Sequence, residues 1–225
     1  MRLAFPAAAW ARGASLALLL ALIQRTAIAQ GIIHTVPAQP LFYSYLPNSY
    51  DIDVNNDGIT DFNLSSPNGM DINLDPLNNN AILSVPELPP DLGAFIYALA
   101  RGTTISSSLD PVFVWWGRNV ANGPASIVSC ANSGCLGYFQ GNTDAYAGIR
   151  LEAGGNFYYG WLHIQNVGLN FGQITDWAYE TSPNTPILAG AVPEPSPTAL
   201  LAAGMLSLLL LRRLKLRRNA RSSSA

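Results

Sequence analysis

Ala145-Tyr-Ala-Gly-Ile-Arg-Leu-Glu-Ala153, Gly154-Gly155, Asn156-Phe-Tyr-Tyr-Gly-Trp-Leu-His-Ile-Gln165 is the stretch that decides the fold. Two apolar and aromatic segments flank a Gly-Gly pair, and glycine tolerates the positive φ that a tight hairpin turn needs. In the second segment Tyr159, Trp161, His163 and Gln165 share one face, while Gly160, Leu162 and Ile164 share the other. A period of two with both faces apolar suits a strand buried between layers.

Working outward, no long segment repeats apolar residues at helical spacing. Short apolar runs alternate instead with Gly, Asn, Pro and Ser clusters, the pattern of an all-β domain. Strands are expected at 41–45, 59–64, 70–74, 81–85, 112–116, 137–140, 145–153, 156–165 and 175–180. Residues 91–100 (DLGAFIYALA) form the one plausible short helix, or a loop that turns Phe95, Ile96 and Leu99 inward. Long parallel crossovers are not expected. The expected architecture is an antiparallel β-sandwich of jelly-roll type.

The two ends differ from this body. Residues 1–29 carry Arg2 and Arg12, then an apolar stretch at 14–23, then Ala27-Ile28-Ala29. That order describes a secretory signal peptide cut before Gln30. At the other end stand Val192-Pro193-Glu194-Pro195-Ser196, an apolar run from Ala199 to Leu211, and Arg212-Arg213-Leu214-Lys215-Leu216-Arg217-Arg218. The apolar run is 13 residues long, short of the roughly 20 that a span needs. The basic cluster holds its end in the cytoplasm.

This tail, over about Val192 to Arg221, resembles the PEP-CTERM sorting signal of Gram-negative bacteria. The resemblance implies cutting near Pro-Glu-Pro by an exosortase, after transient anchoring in the inner membrane, with delivery to the cell surface or beyond. Tyr159-Gly160-Trp161-Leu162-His163, followed by Asp176-Trp177-Ala178-Tyr179-Glu180, also resembles the closing strands of many PEP-CTERM cargo proteins. Three segments result: a signal peptide (1–29), a β-sandwich body (30–190) and a sorting tail (191–225).

Charge excludes some partners. Nine of the twelve basic residues lie in the terminal segments. The body keeps Arg101, Arg118 and Arg150, no lysine, and thirteen acidic residues, a net charge of −10. It is a poor ligand for nucleic acid, which needs basic residues. Cys130 and Cys135 bracket Ala-Asn-Ser-Gly. In an oxidising compartment they are expected to form a small disulfide across a tight turn, since a zinc site would need two further ligands.

The chief candidate for chemistry is Asp51-Ile-Asp53-Val-Asn55-Asn-Asp57-Gly58-Ile59-Thr-Asp61. From Asp53 it reads Asp-x-Asn-x-Asp-Gly-x-x-Asp. Alternate oxygens in a tight loop, with the Ile59 carbonyl, suit calcium. The loop resembles the calcium loops of EF-hand and thrombospondin-type repeats. It departs at the twelfth position, which is Leu64 rather than Glu, so Asp51 is the candidate replacement ligand. The same residues also make a strong β-turn signal. A weaker echo runs Asp71-Ile-Asn73-Leu-Asp75, able to lend Asp71 or Asp75 to the first loop.

Catalysis finds little footing. His34 sits near the new N-terminus, where fraying is expected, and His163 reads as a packed or rim residue. Nucleophile-elbow, zincin and phosphate-loop motifs are missing from the sequence. Glu152 and Asp176 are a nominal carboxylate pair for a glycosidase-like enzyme. Trp115, Trp161 and Trp177 would stack on sugars if exposed in a row, as in a carbohydrate-binding module of the extracellular polysaccharide. Core filling is the competing account of those aromatics. The leading expectation is a non-catalytic surface or matrix protein.

Overall fold

The structure is a computed structural model that describes residues 31–44, 49–86, 94–117, 124–131, 134–141, 144–166, 171–193, 201 and 204–207. The chain divides into a unit of Gln30–Pro193 and a second of Met1–Ala29 with Glu194–Ala225. In the second, Leu201 and residues 204–207 are helical and exposed. No helix among the described residues is long and apolar enough to cross a membrane. The signal segment, Glu194 to Ser196 and most of the apolar run lie outside the described residues.

The larger unit is all-β. Its strands are β1 (Ile32–Thr35), β2 (Leu41–Tyr43), β3 (Ser49–Ile52), β4 (Phe62–Ser65), β5 (Ile72–Pro76), β6 (Ala81–Pro86), β7 (Ala94–Ile96) and β8 (Thr104–Ile105). Then follow β9 (Val114–Gly117), β10 (Ala125–Ala131), β11 (Gly134–Leu136), β12 (Ala145–Ala153), β13 (Asn156–Asn166), β14 (Gly172–Glu180) and β15 (Ile187–Leu188). Thirteen strands join in one curled sheet, ordered β1-β14-β13-β12-β6-β7-β10-β5-β4-β3 along its main path. Strands β9, β11 and β2 attach to β6, β10 and β14, and β8 pairs with β15 separately.

Three expectations are corrected. Residues 94–96 form a strand rather than a helix; Gly93 and the Pro-rich stretch before it disfavour helix nucleation, and backbone pairing with β6 and β10 wins. The β7–β10 pair is parallel, Ala94 opposite Ala125, because the 97–124 connection is long enough to bring the chain back in the same direction. Residues 138–141 are a turn, and the strand there, β11, ends at Leu136.

The deciding hairpin forms as its sequence dictates. β12 and β13 pair from Ala145↔Ile164 to Ala153↔Asn156. Gly154 and Gly155 turn the chain at φ 59° and 75°, a combination costly for residues with a Cβ. Alternation then sends the two faces into different cores. Ile149, Leu162, Ile164 and Ile174 enter a large cluster with Phe62, Leu64, Ile72 and Leu74. Tyr146, Tyr159 and Trp161 enter a second cluster with Ile105 and Ile187 from the small sheet. Each fully buried Leu or Ile contributes roughly 1.5–3 kcal/mol. The central strands are thereby fixed from both sides.

Candidate functional site

The Asp-rich segment is the loop between β3 and β4. Buried Val54 and the Asp61 N–H bond to the Ile52 carbonyl (2.8 Å) pin its base. Asp53 accepts the N–H of Asp57 (3.2 Å) and of Gly58 (2.8 Å). Asn55 Oδ1 accepts the Asp57 N–H (3.0 Å), while Asn55 Nδ2 donates to Asp57 Oδ2 (2.9 Å). Asp57 Oδ1 accepts the Ile59 N–H (2.8 Å). Asn56 and Gly58 take φ of 60° and 86°. These side chains hold the loop by accepting its own amides, as Asx turns do.

Asp61 is 5% exposed, with Oδ2 on the Val54 N–H and Oδ1 on Asn80 Nδ2, both 2.8 Å. Burial pushes its carboxyl above the usual range, against the lowering effect of those two bonds, and the charges of Asp57 and Asp53 push the same way as burial. Thus Asp53, Asn55, Asp57 and Asp61 gather on one loop. Asp51 does not join them: it lies on β3 and accepts Asn63 Nδ2 at 2.8 Å across the ladder. Among the described residues no group of three or more His, Cys, Asp or Glu is disposed to hold a metal ion. The hard oxygens match calcium in kind, and several of them also accept the loop's own amides.

The weaker echo serves the sheet. Asp71 accepts Ser129 Oγ (2.6 Å) and Asn68 Nδ2 (2.6 Å). Asn73 accepts Ser126 Oγ (3.0 Å) and Asp75 the Ala125 N–H (3.1 Å). Asp71, Asn73 and Asp75 thereby tie the β5 region to β10.

A second cluster escapes sequence reading. His34 is ordered in β1, paired with β14 opposite Ala178, rather than frayed. Its Nε2 lies 2.9 Å from Asp176 Oδ2. Asp176 Oδ1 meets His163 Nδ1 at 2.8 Å and Thr175 Oγ1 at 2.6 Å, and Thr175 Oγ1 is also 2.9 Å from His163 Nδ1. His163 Nε2 contacts Asp144 Oδ1. Tyr146 stacks on the His163 ring at 4.6 Å. A carboxylate only accepts, so the His163 bonds to Asp144 and Asp176 are both complete only when the ring carries two protons. Burial raises the Asp176 carboxyl, but the bonds from Thr175, His34 and His163 outweigh it and hold the group below the usual range. The order His34–Asp176–His163–Asp144 is a linear chain of side-chain contacts with no common centre.

The aromatic trio is not a sugar platform. Trp161 is 1% and Trp177 7% exposed, in opposite cores. Trp161 Nε1 donates to the Ala191 carbonyl (3.2 Å). Trp115, partly buried, lies 5.4 Å under the Arg150 guanidinium and 5.8 Å from Tyr159. Burial wins because these strands have packed layers on both faces. Glu152 and Asp176 do not face each other either: their β13 partners, Phe157 and His163, stand six positions apart, roughly 20 Å along a strand. Cys130 and Cys135 are disulfide-bonded across the β10–β11 hairpin.

No family model matches this chain. No curated protein matches it, and no solved structure matches it.

Proposed function

We propose that this chain is an exported, non-catalytic β-domain of the cell surface or extracellular matrix. Signal peptidase frees its N-terminus. An exosortase acts on the PEP-CTERM tail after transient anchoring in the inner membrane. The observation that carries the proposal is the tail itself: Val192-Pro-Glu-Pro-Ser196, the apolar run and the basic cluster. The body's limits, Gln30 and Pro193, fall at the two points where the sequence marks processing. The disulfide suits an oxidising compartment. We read the curled sheet as a sandwich-like, jelly-roll-related shell around the larger core.

Within this reading the β3–β4 loop is a low-affinity structural calcium site. Asp53, Asn55, Asp57 and the Ile59 carbonyl would hold the ion, which would neutralise the charge now acting on Asp61. An acidic body favours cations and disfavours nucleic acid. Extracellular polysaccharide remains a partner class, engaged by surfaces other than Trp161 and Trp177.

The test is the intact mass and location of the mature protein in cells with and without exosortase. A released species ending near Pro193, seen only with the enzyme, supports the proposal. A full-length C-terminus in the inner membrane of both strains overturns it.

A further inference from the structure

A cavity of about 240 Å³ opens between the β3–β4 loop and the turn end of the β12–β13 hairpin. Asn55 lines it from the loop, Leu151, Ala153 and Tyr158 from the hairpin, and Tyr179 and Thr181 from the end of β14 and just beyond. Leu151 stands opposite Tyr158 in the ladder, and Gly160 opposite Tyr179. A Cβ at 160 would lie 2.5 Å from the Ala178 carbonyl oxygen and 3.0 Å from Tyr179 Cβ. The close approach of β14 therefore needs glycine at 160. Both tyrosines pack against the larger core yet stay partly exposed. The volume is below the roughly 300–1,000 Å³ of sites for drug-sized ligands, so it suits one ring rather than a long ligand.

The cavity has a negative side. No cationic side chain lines it among the described residues. Asn55 Nδ2 donates to Asp57 Oδ2 at 2.9 Å, and Asp53 accepts the N–H groups of Asp57 and Gly58. Two carboxylates thus stand behind the Asn55 wall. Burial raises the Tyr179 phenol, and the charges of Asp61, Asp57 and Asp53 push the same way. An amide side chain carries two donor hydrogens and two acceptor lone pairs. The loop uses one donor and one lone pair of Asn55, which leaves one of each for a ligand.

We propose that this cavity is the subsite for one amino-sugar ring, a pyranose bearing a free ammonium, of an extracellular polysaccharide. The inference rests on the reading of such polysaccharide as this chain's partner. A tyrosine ring takes either the apolar C–H face of a sugar or a cation. Tyr158 and Tyr179 supply that surface, and Asn55 and Thr181 meet the sugar hydroxyls. The field of Asp53 and Asp57 favours an ammonium over a neutral or acidic substituent. N-acetylation removes the charge and a uronate reverses it, so the site sorts sugars by the charge they carry rather than by the ring.

Calcium on the same loop would offset that field, so the test runs with chelator present. Exported protein is purified, its terminal peptides are read by mass, and it is titrated by calorimetry at low salt. The probes are a glucosamine tetramer, its N-acetylated form, a glucose tetramer and tetramethylammonium. The free-amine tetramer should bind on the order of tenfold more tightly than each of the others, and added salt should weaken it. Tyr158→Leu, which keeps an apolar side chain on the core, should weaken it on the order of tenfold. Ala153→Phe, which fills the cavity from an exposed strand end, should do the same without disturbing the core. Equal binding of the N-acetylated or glucose tetramer overturns the inference. So does tetramethylammonium binding as tightly as the tetramer, or an affinity that both variants leave unchanged. A processed chain that binds none of the probes sinks this inference and leaves the export reading standing. A chain still beginning at Met1 that binds the free-amine tetramer supports the subsite and sinks the export reading alone.

Discussion

Asp176 Oδ2 meets His34 Nε2 at 2.9 Å across the β1–β14 seam, joining residues 142 positions apart in sequence. The other oxygen of the same carboxylate holds His163 and Thr175. One side chain thus links the first strand, the deciding hairpin and the last long strand.

Asp176 sets an acid limit on stability. Its carboxyl is raised by burial but lowered further by Thr175, His34 and His163, so the net shift is downward. A depressed carboxyl stabilises the fold above the ordinary Asp value of about 3.9 and loses that contribution as pH falls through its lower folded value. Asp176→Asn should cost about 1–3 kcal/mol at pH 7 in urea unfolding. The gap to wild type should close as pH falls below the ordinary Asp value and through the lower folded one. A gap that persists unchanged there contradicts this account.

Calcium binding by the β3–β4 loop has a thermal signature. Millimolar calcium should raise Tm by about 2–4 °C, as a ligand of the folded state does. Asp53→Ala and Asp57→Ala should abolish that rise. Calorimetry with and without chelator checks it, and an unchanged Tm in wild type rejects the site.

Asp61 differs from its neighbours in kind. Asp61→Ala strands the Val54 N–H and Asn80 Nδ2 in a buried place, a loss of about 2–4 kcal/mol whether or not calcium is present. A loss seen only with calcium present would show instead that Asp61 acts as a ligand alone.

Core and surface roles for the tryptophans separate cleanly. Trp161→Ala and Trp177→Ala should each cost about 3–5 kcal/mol. A soluble, fully stable variant that had lost only polysaccharide retention would return these residues to a binding role.

The small disulfide should matter locally. A Cys130→Ser, Cys135→Ser protein should lose about 2 kcal/mol, with faster amide exchange confined to β10 and β11. Exchange that accelerates across the whole sheet would give the bridge a global role instead.

Much of the hairpin was legible, because period-two alternation and Gly154-Gly155 are local signals. β12 matches its expected bounds, and the two faces of β13 divide as alternation requires. The all-β class followed from the same signals. Residues 94–96 were ambiguous because a short apolar run suits helix and strand alike, and pairing with β6 and β10 settles it. β10 passed unnoticed because Ala125-Ser-Ile-Val-Ser-Cys-Ala131 is mostly small residues. Of the site, the acidic loop announced itself by spacing, but Asp51's partner did not. The chain His34–Asp176–His163–Asp144 was illegible, since each link depends on strand register across long separations.

The β1–β14 seam also orders events during synthesis. The N-terminal strand emerges first, yet its partner is the last long strand made. Ile32 to Thr35 must wait, unpaired, until Trp177 to Glu180 follow. Contacts of such range make closure slow, so the β1–β14 seam is among the last parts of the fold to close.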